Sequence, residues 1–254
     1  MSYFFNLEKK GDVIAKIVGG KYNNKYIYLY APLPNEEEEE IIEPIKHIKL
    51  VDGIIQPIPN PKKERSVGYL TGRSGSGKSY QTGKYLEQYK KQFKNNKIYL
   101  FSPVKEDEAL DKYVKRIELD DSLYKEPFTI EQFKNCLVIF DDTDTIANKK
   151  IKEAIQTLQN SILEQGRHHN ITCLMTNHLG ADRNITKRIL NESEWLCCFP
   201  NSGITANLKY TLENYLGLDK YQIERMKETK SRHAYIFKNY PPFVMTEREL
   251  YFLN

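Results

Sequence analysis

The segment Gly72-Arg73-Ser74-Gly75-Ser76-Gly77-Lys78-Ser79-Tyr80 gathers three glycines, a lysine and several hydroxyls into nine consecutive residues. Glycines let a backbone wrap closely around an anion, so that its N–H groups face phosphate oxygens. A lysine after the last glycine neutralises phosphate charge, and the serine that follows can ligate Mg²⁺. The spacing Gly-x-x-x-x-Gly-Lys-Ser has this meaning only between a strand and a helix. Both are expected here, a strand over Val67–Thr71 and a helix over Lys78–Lys94. A Gly/Ser-rich turn without function is the competing reading, and the flanking elements count against it. On the functional reading Gly72 to Tyr80 bind ATP, Lys78 meets its β- and γ-phosphates and Ser79 holds Mg²⁺.

A second polar group ends an apolar run, Leu137-Val-Ile-Phe-Asp141-Asp142. A strand buried on both faces of a parallel sheet would carry these two carboxylates to the sheet's ligand end. Asp141 is assigned to the magnesium shell and Asp142 to orienting an attacking water. A helix cap or solvated turn is the alternative, and Asp144 is a competing acid in the same loop. Thr172-Cys-Leu-Met-Thr-Asn177-His178 has the form of a strand inserted between the two strands just named. The Asn177 amide, both donor and acceptor, could then hydrogen-bond the water or γ-phosphate, or simply close a strand-to-loop turn.

Arg167, in Gly166-Arg167-His168-His169-Asn170, is the candidate for stabilising transition-state charge in a neighbouring subunit. Its loop precedes the Asn177 strand and is expected on the sheet's ligand side or beside a subunit edge. A phosphate or DNA contact is the alternative. Arg73, Arg183 and Arg188 compete with it among the nine arginines. His168, His169 and His178 lack metal-site spacing, so no zinc is expected.

These residues need a parallel α/β frame to position them, and the pattern from Ser66 onward alternates accordingly. Further strands are expected over Lys97–Phe101, Cys136–Phe140, Ile171–Thr176 and Glu194–Phe199. Helices are expected over Glu106–Lys115, Thr129–Asn135, Asn148–Gln165, Ala181–Glu192, Gly203–Leu216 and Asp219–Glu228. Ile151, Ile155, Leu158 and Ile162 form one apolar stripe, and Asp219 with Gln222 suggests a capping box. His233–Phe237 and Phe243–Met245 read as a terminal hairpin. Residues 1–62 read as a small β-rich unit with strands over Val13–Val18 and Tyr26–Tyr30, an acidic run Glu36–Glu40 and a proline-rich connection Ile54–Pro61. Residues 63–254 then form the ATPase domain. The expected class is α/β, a P-loop NTPase with a mainly parallel sheet flanked by helices, plus that N-terminal unit.

Composition bounds the remaining possibilities. The 254 residues, 40% hydrophobic and 28% charged, suffice for one sizeable core. Lys and Arg number 38 against 34 Asp and Glu, and a net charge of +4 permits nucleic-acid binding without arguing for it. Cys136, Cys173, Cys197 and Cys198 contain no C-x-x-C pair and fall in or beside apolar runs, as small core residues in a reducing compartment do. Adjacent Cys197 and Cys198 would face opposite sides of a strand. No apolar run reaches the length of a membrane span and no signal peptide is evident, so a soluble intracellular protein is expected. The lysines between Lys84 and Lys97 read as a solvated face, and Tyr85 and Tyr89 as core.

The ordered set is selective: Gly-Arg-Ser-Gly-Ser-Gly-Lys-Ser, then Ile-Tyr-Leu-Phe-Ser102-Pro103, Leu-Val-Ile-Phe-Asp-Asp, Gly-Arg-His-His-Asn-Ile-Thr and a strand with a polar tip. Over about Val67 to Pro200 it resembles the genome-packaging ATPases of large nucleocytoplasmic DNA viruses, the poxvirus-type branch of the FtsK–HerA class. The resemblance does not extend over residues 1–60 or the last fifty. It implies a homo-oligomeric ring motor that moves double-stranded DNA into a capsid, with capsid or portal-like partners, working in the host cytoplasm at the virus factory and carried in the virion. Class members often have Gln where Asn177 stands and Glu where Asp142 stands. Two other readings share the phosphate loop: a nucleoside or nucleotide kinase, and an assembly or scaffold protein that uses ATP as a switch. A kinase usually has an arginine-rich lid, whereas the stretch from Asn177 to Pro200 holds only Arg183 and Arg188.

Overall fold

Residues 3–32, 44–63, 65–178 and 183–253 are described by the computed structural model. The acidic run Glu36–Glu40 lies outside them. Near the N-terminus, β1 (Phe4–Asn6), β2 (Asp12–Val18) and β3 (Tyr26–Tyr30) are short segments rich in β-branched and aromatic residues. β2 and β3 pair antiparallel, so the expected hairpin is present. β4 (His47–Lys49) and β5 (Ile54–Pro57) follow. β5 pairs with β2, so half of the proline-rich connection is a strand and completes an antiparallel sheet of order β1-β3-β2-β5. Its prolines sit where an edge strand tolerates them.

The rest of the chain alternates strand and helix: β6 (Val67–Thr71), α1 (Lys78–Gln92), β7 (Ile98–Phe101), β8 (Lys115–Ile117), α2 (Ser122–Lys125), β9 (Leu137–Asp141), α3 (Lys149–Gln165), β10 (Thr172–Asn177), α4 (Arg183–Glu192), β11 (Trp195–Cys198), α5 (Ala206–Asn214), α6 (Lys220–Glu228), β12 (Ala234–Phe237), β13 (Phe243–Thr246) and β14 (Glu249–Phe252). One ten-stranded sheet runs β4-β14-β13-β12-β11-β6-β10-β9-β7-β8. From β11 to β8 every neighbour is parallel, and from β11 back to β4 every neighbour is antiparallel. β10 lies between β6 and β9, the insertion expected for the strand that ends in Asn177. The small sheet is built from strands before Lys62, but β4 from the same stretch joins the large sheet at β14.

Successive strand residues feed two cores, as the pleat requires. Val67, Tyr69, Val138, Phe140, Cys173, Met175 and Cys198 face α3 and the later helices; Leu70, Leu137, Ile139, Leu174 and Cys197 face α1. Cys197 and Cys198 thus point to opposite sides, and all four cysteines are buried free thiols. The α1 side also takes in Phe5, Ala15, Ile17, Ile27 and Ile55, so the small sheet packs into the same core as α1. Tyr85 and Tyr89 are buried there, as core packing predicts.

α3 buries the expected stripe Ile151, Ile155, Leu158 and Ile162, and Asn148 caps its start by accepting from the Lys150 and Ile151 N–H groups at 3.0 and 3.4 Å. At its other end Arg65 donates to the Ile162 and Leu163 carbonyls at 3.1 and 2.7 Å; Ile162 also accepts from the Gly166 N–H, whereas Leu163 is one of the acceptors a helix terminus leaves open. Three expectations are corrected. Residues 108–113 form turns, not a helix, and Lys115 already opens β8: the Asp107 and Asp111 carboxylates accept from the Ala109 and Asp107 N–H groups, competing with helical bonding. Residues 130–133 are a 3-10 turn, with the Thr129 N–H bonded to Gln132 Oε1 at 2.8 Å. α5 starts at Ala206, behind a Thr205 cap, because Gly203 takes φ 91 and cannot be helical. The capping box at Asp219 and Gln222 is present, with bonds of 2.8 and 2.9 Å.

Candidate nucleotide-phosphate site

β6 ends at Thr71 and the chain passes through residues 72–77 into α1. Gly77 sits before the helix with φ 107, a conformation that L side chains rarely adopt. Gly72 is glycine for space: a Cβ there would lie 2.6 Å from Ser76 Oγ and 2.7 Å from Phe199 Cδ2. Phe199, just beyond β11, therefore braces the loop from outside. The start of α1 has no side-chain cap and no acidic residue in its first turn, which leaves its first N–H groups and the positive end of its dipole for an anion. Ser76 Oγ is buried without a protein hydrogen-bond partner. Lys78 is buried, and its ammonium donates to the Gly72 carbonyl at 3.2 Å. Such a cradle suits the phosphates of a nucleotide. Tyr80 is largely exposed, with the Lys84 ammonium 5.5 Å from its ring centroid, and it lines a cavity of about 1030 Å³ beside Gly75, Ser76 and Gly77.

β9 carries the two acids to the same end of the sheet. The buried Asp141 accepts from Ser102 Oγ at 2.8 Å on one oxygen and from Thr176 Oγ1 on the other. Ser102 follows β7 and Thr176 lies in β10, so both neighbouring strands orient this carboxylate. Asp142 turns into left-handed backbone at φ 45, and its N–H donates to the Thr176 carbonyl at 2.8 Å. Its Oδ1 is buried without a protein partner. Burial raises the Asp142 carboxyl above the usual range, Lys78 and His178 pull it down, and Asp141 and Asp144 push it up again. The result is a carboxylate more basic than a solvated one. Ser79 stands in the first turn of α1 and Asp141 ends β9, the places expected of them.

The remaining candidates divide. Asn177 is buried and in register with Thr71 across the β10–β6 pair, beside the entrance to the loop. His178 comes next and reaches both the loop and Asp142, at 3.1 Å to the Gly72 carbonyl and 3.4 Å to Asp142 Oδ2. Arg73 is exposed on the loop itself. Arg188 is on α4, 3.3 Å from Glu164 of α3, and the Arg183 side chain lies outside the described residues. Arg167 is not brought to the site. It is exposed on a 3-10 turn over Gly166–His169, at the start of β10, where the His169 carbonyl accepts from the Asn135 N–H ahead of β9. The expectation of a ligand-side position is corrected: a loop that enters a parallel strand lies at the opposite end from one that leaves it.

V3, an uncharacterized protein of Sputnik virophage, is 40% identical to this chain over 254 residues, spanning 97% of this chain and 98% of its own. The chain belongs to the V3 family. No family model matches the sequence. Among solved structures, this V3-family chain is similar to the cytoplasmic domain of the type VII secretion ATPase EccC of Thermomonospora curvata, with a TM-score of 0.51 and 10% identity over 80% of this chain and 28% of that one. It is also similar to the genome packaging NTPase B204 of Sulfolobus turreted icosahedral virus 2 in complex with ATP-gammaS, at 0.48 and 16% over 73% and 97%. The pCW3 conjugation coupling protein TcpA gives 0.47 and 15% over 93% and 77%. The likeness to EccC is one of fold alone.

Sequence reasoning passed over Ser102, Thr176, His178 and Phe199 in this V3-family site. Ser102 and His178 stand next to elements already singled out, at the ends of parallel strands, and strand-end polar residues are the signal that points to them. Thr176 and Phe199 carry no local signal, because their partners are more than thirty residues away in the chain.

Proposed function

We propose that this V3-family protein is an ATP-hydrolysing motor that moves double-stranded DNA and packages a viral genome into its capsid. The observation that carries the ATPase reading is the convergence, at one end of the sheet, of an uncapped glycine loop with Lys78 and of two carboxylates in different surroundings. ATP binds with its phosphates against the loop N–H groups and Lys78, and Ser79 and Asp141 hold the accompanying Mg²⁺. Asp142 takes the proton of the attacking water as that water bonds to the γ-phosphorus and the bond to ADP breaks. Asn177 orients the water or the γ-phosphate from the strand tip.

Duplex DNA, a homo-oligomeric ring and capsid partners follow from the ordered motifs between Val67 and Pro200 and from the P-loop ATPase fold. The protein then acts where capsids assemble, in the host cytoplasm. Steady-state ATPase assays with and without duplex DNA, at low and high salt, test the whole reading. Mg²⁺-dependent turnover should rise with DNA of any sequence, and DNA affinity should fall steeply with salt, as phosphate-dominated contacts require. Turnover indifferent to nucleic acid would remove the motor. No turnover at all would leave an ATP-switched scaffold, and phosphate transfer to a nucleoside or nucleotide would make the protein a kinase.

A further inference from the structure

The end of β10 makes its contact with the rest of the site through His178, not through Asn177. Asn177 is buried in the strand pair, whereas the next residue spans from the phosphate loop to the second acid. His178 Nδ1 lies 3.1 Å from the Gly72 carbonyl, the same carbonyl that accepts from Lys78 at 3.2 Å. His178 Nε2 lies 3.4 Å from Asp142 Oδ2. We propose that His178 is a positioning residue that ties the Asp142 carboxylate to the phosphate loop and holds it in the orientation needed to take a proton from water. This inference rests on the ATPase reading and adds to it the group that fixes the base.

Three features of the geometry converge on it. Among the described residues the imidazole is the side chain that meets the Asp142 carboxylate, at Oδ2, while Oδ1 has no protein partner. A carboxylate held by one oxygen leaves the other for a substrate water, and without the ring it would rotate about its terminal torsion, which is broad. The backbone of Asp142 is already committed: its φ of 45 is a position an L side chain visits at a cost, and its N–H is bonded to the Thr176 carbonyl at 2.8 Å. β10 therefore supports Asp142 twice, through the backbone at Thr176 and through the side chain at His178. Finally, both groups that flank the ring are acceptors. The imidazole presents one nitrogen to each across a rigid frame, which no flexible side chain does as cheaply. The ring makes any shift of the loop at Gly72 a shift of the acid as well.

Three variants separate positioning from bulk structure. Glutamine at this position offers an amide N–H near the place of Nε2, and asparagine near the place of Nδ1. His178→Gln should keep kcat for ATP within about threefold of wild type. His178→Asn and His178→Ala should lose on the order of ten- to a hundredfold in kcat, the scale on which misorienting a reacting group acts, with KM for ATP and Tm little changed. The inference is overturned if all three variants are equally impaired, if the loss falls on KM with kcat retained, or if His178→Ala turns over like wild type. Wild-type protein without ATPase activity would sink the functional reading and this inference together, whereas an active wild type with no split between Gln and Asn sinks the inference alone.

Discussion

Asp141 and Asp142 are consecutive, yet their surroundings differ. Both oxygens of Asp141 are engaged by hydroxyls at the ends of the neighbouring strands, which fixes the carboxylate and discourages rotation, and on the proposed function this is the magnesium ligand. Groups that orient a metal ligand are typically worth ten- to a hundredfold in metal affinity. Ser102→Ala and Thr176→Val should therefore each raise the Mg²⁺ concentration for half-maximal turnover by about tenfold, read from Mg²⁺ titrations of phosphate release. An unchanged Mg²⁺ requirement in both would assign the cation to other residues. Asp142 is more basic, through burial, and carries an unpartnered oxygen. Asp142→Asn should retain ATP binding in a nucleotide-binding titration while turnover falls by at least about a hundredfold. Lys78→Ala should lose both, because Lys78 is the buried cation of the loop. Near-normal turnover in the two variants would remove the catalytic assignment altogether.

At the scale of elements, α1 is tied to the antiparallel half of the sheet through a buried polar chain. Gln81 in the first turn of α1 meets His233 Nδ1 at 2.8 Å, and Tyr235 of β12 donates to the other Gln81 amide atom at 3.4 Å. Burial holds the His233 imidazole down at about 4, against 6.5 when unperturbed, with Glu247 opposing and Arg232 reinforcing the shift. The unfolded chain thus binds the extra proton between those two values. Stability from this residue is full above pH 6.5 and is lost as pH falls toward 4, by on the order of 3 kcal/mol. Urea unfolding at pH 7.5, 6 and 5 checks this. His233→Asn, which can still accept from Gln81, should show a shallower loss than wild type, and parallel curves would refute the linkage. Elsewhere, local sequence determined the elements whose caps and stripes are self-contained, such as α3 and α6. It misled at residues 106–115, where carboxylate-to-backbone bonds took the place of helical ones and left β8 to extend the sheet.

For the whole molecule, the order of the strands decides what each loop can touch. Arg167 is separated from its own phosphate loop by the length of β10, six residues or roughly 20 Å of strand. Any contact between its guanidinium and ATP therefore needs a second subunit. Mixing Arg167→Ala subunits with Lys78→Ala subunits tests that. Each should be nearly inactive alone, and partial activity should return in hetero-oligomers, where an intact loop meets an intact arginine. If hetero-oligomers form and nothing returns, Arg167 is a DNA or structural contact, and Arg73, exposed on the loop itself, becomes the arginine to test next.

The sequence by itself determined the phosphate loop, the acidic end of β9 and the alternation that makes a parallel α/β sheet. Each depends on spacing over fewer than about ten residues, where backbone geometry alone converts residue type into position. Tertiary structure alone decided which side chains hold Asp141 and Asp142, that His178 rather than Asn177 spans the site, that Arg167 is at the far end, and that β4 and the small sheet share the core of α1. Those facts follow from strand order and register, which bring residues 71, 102, 142 and 178 to one edge. Strand order is set by how whole elements bury their apolar faces together, and no local stretch of the chain encodes it.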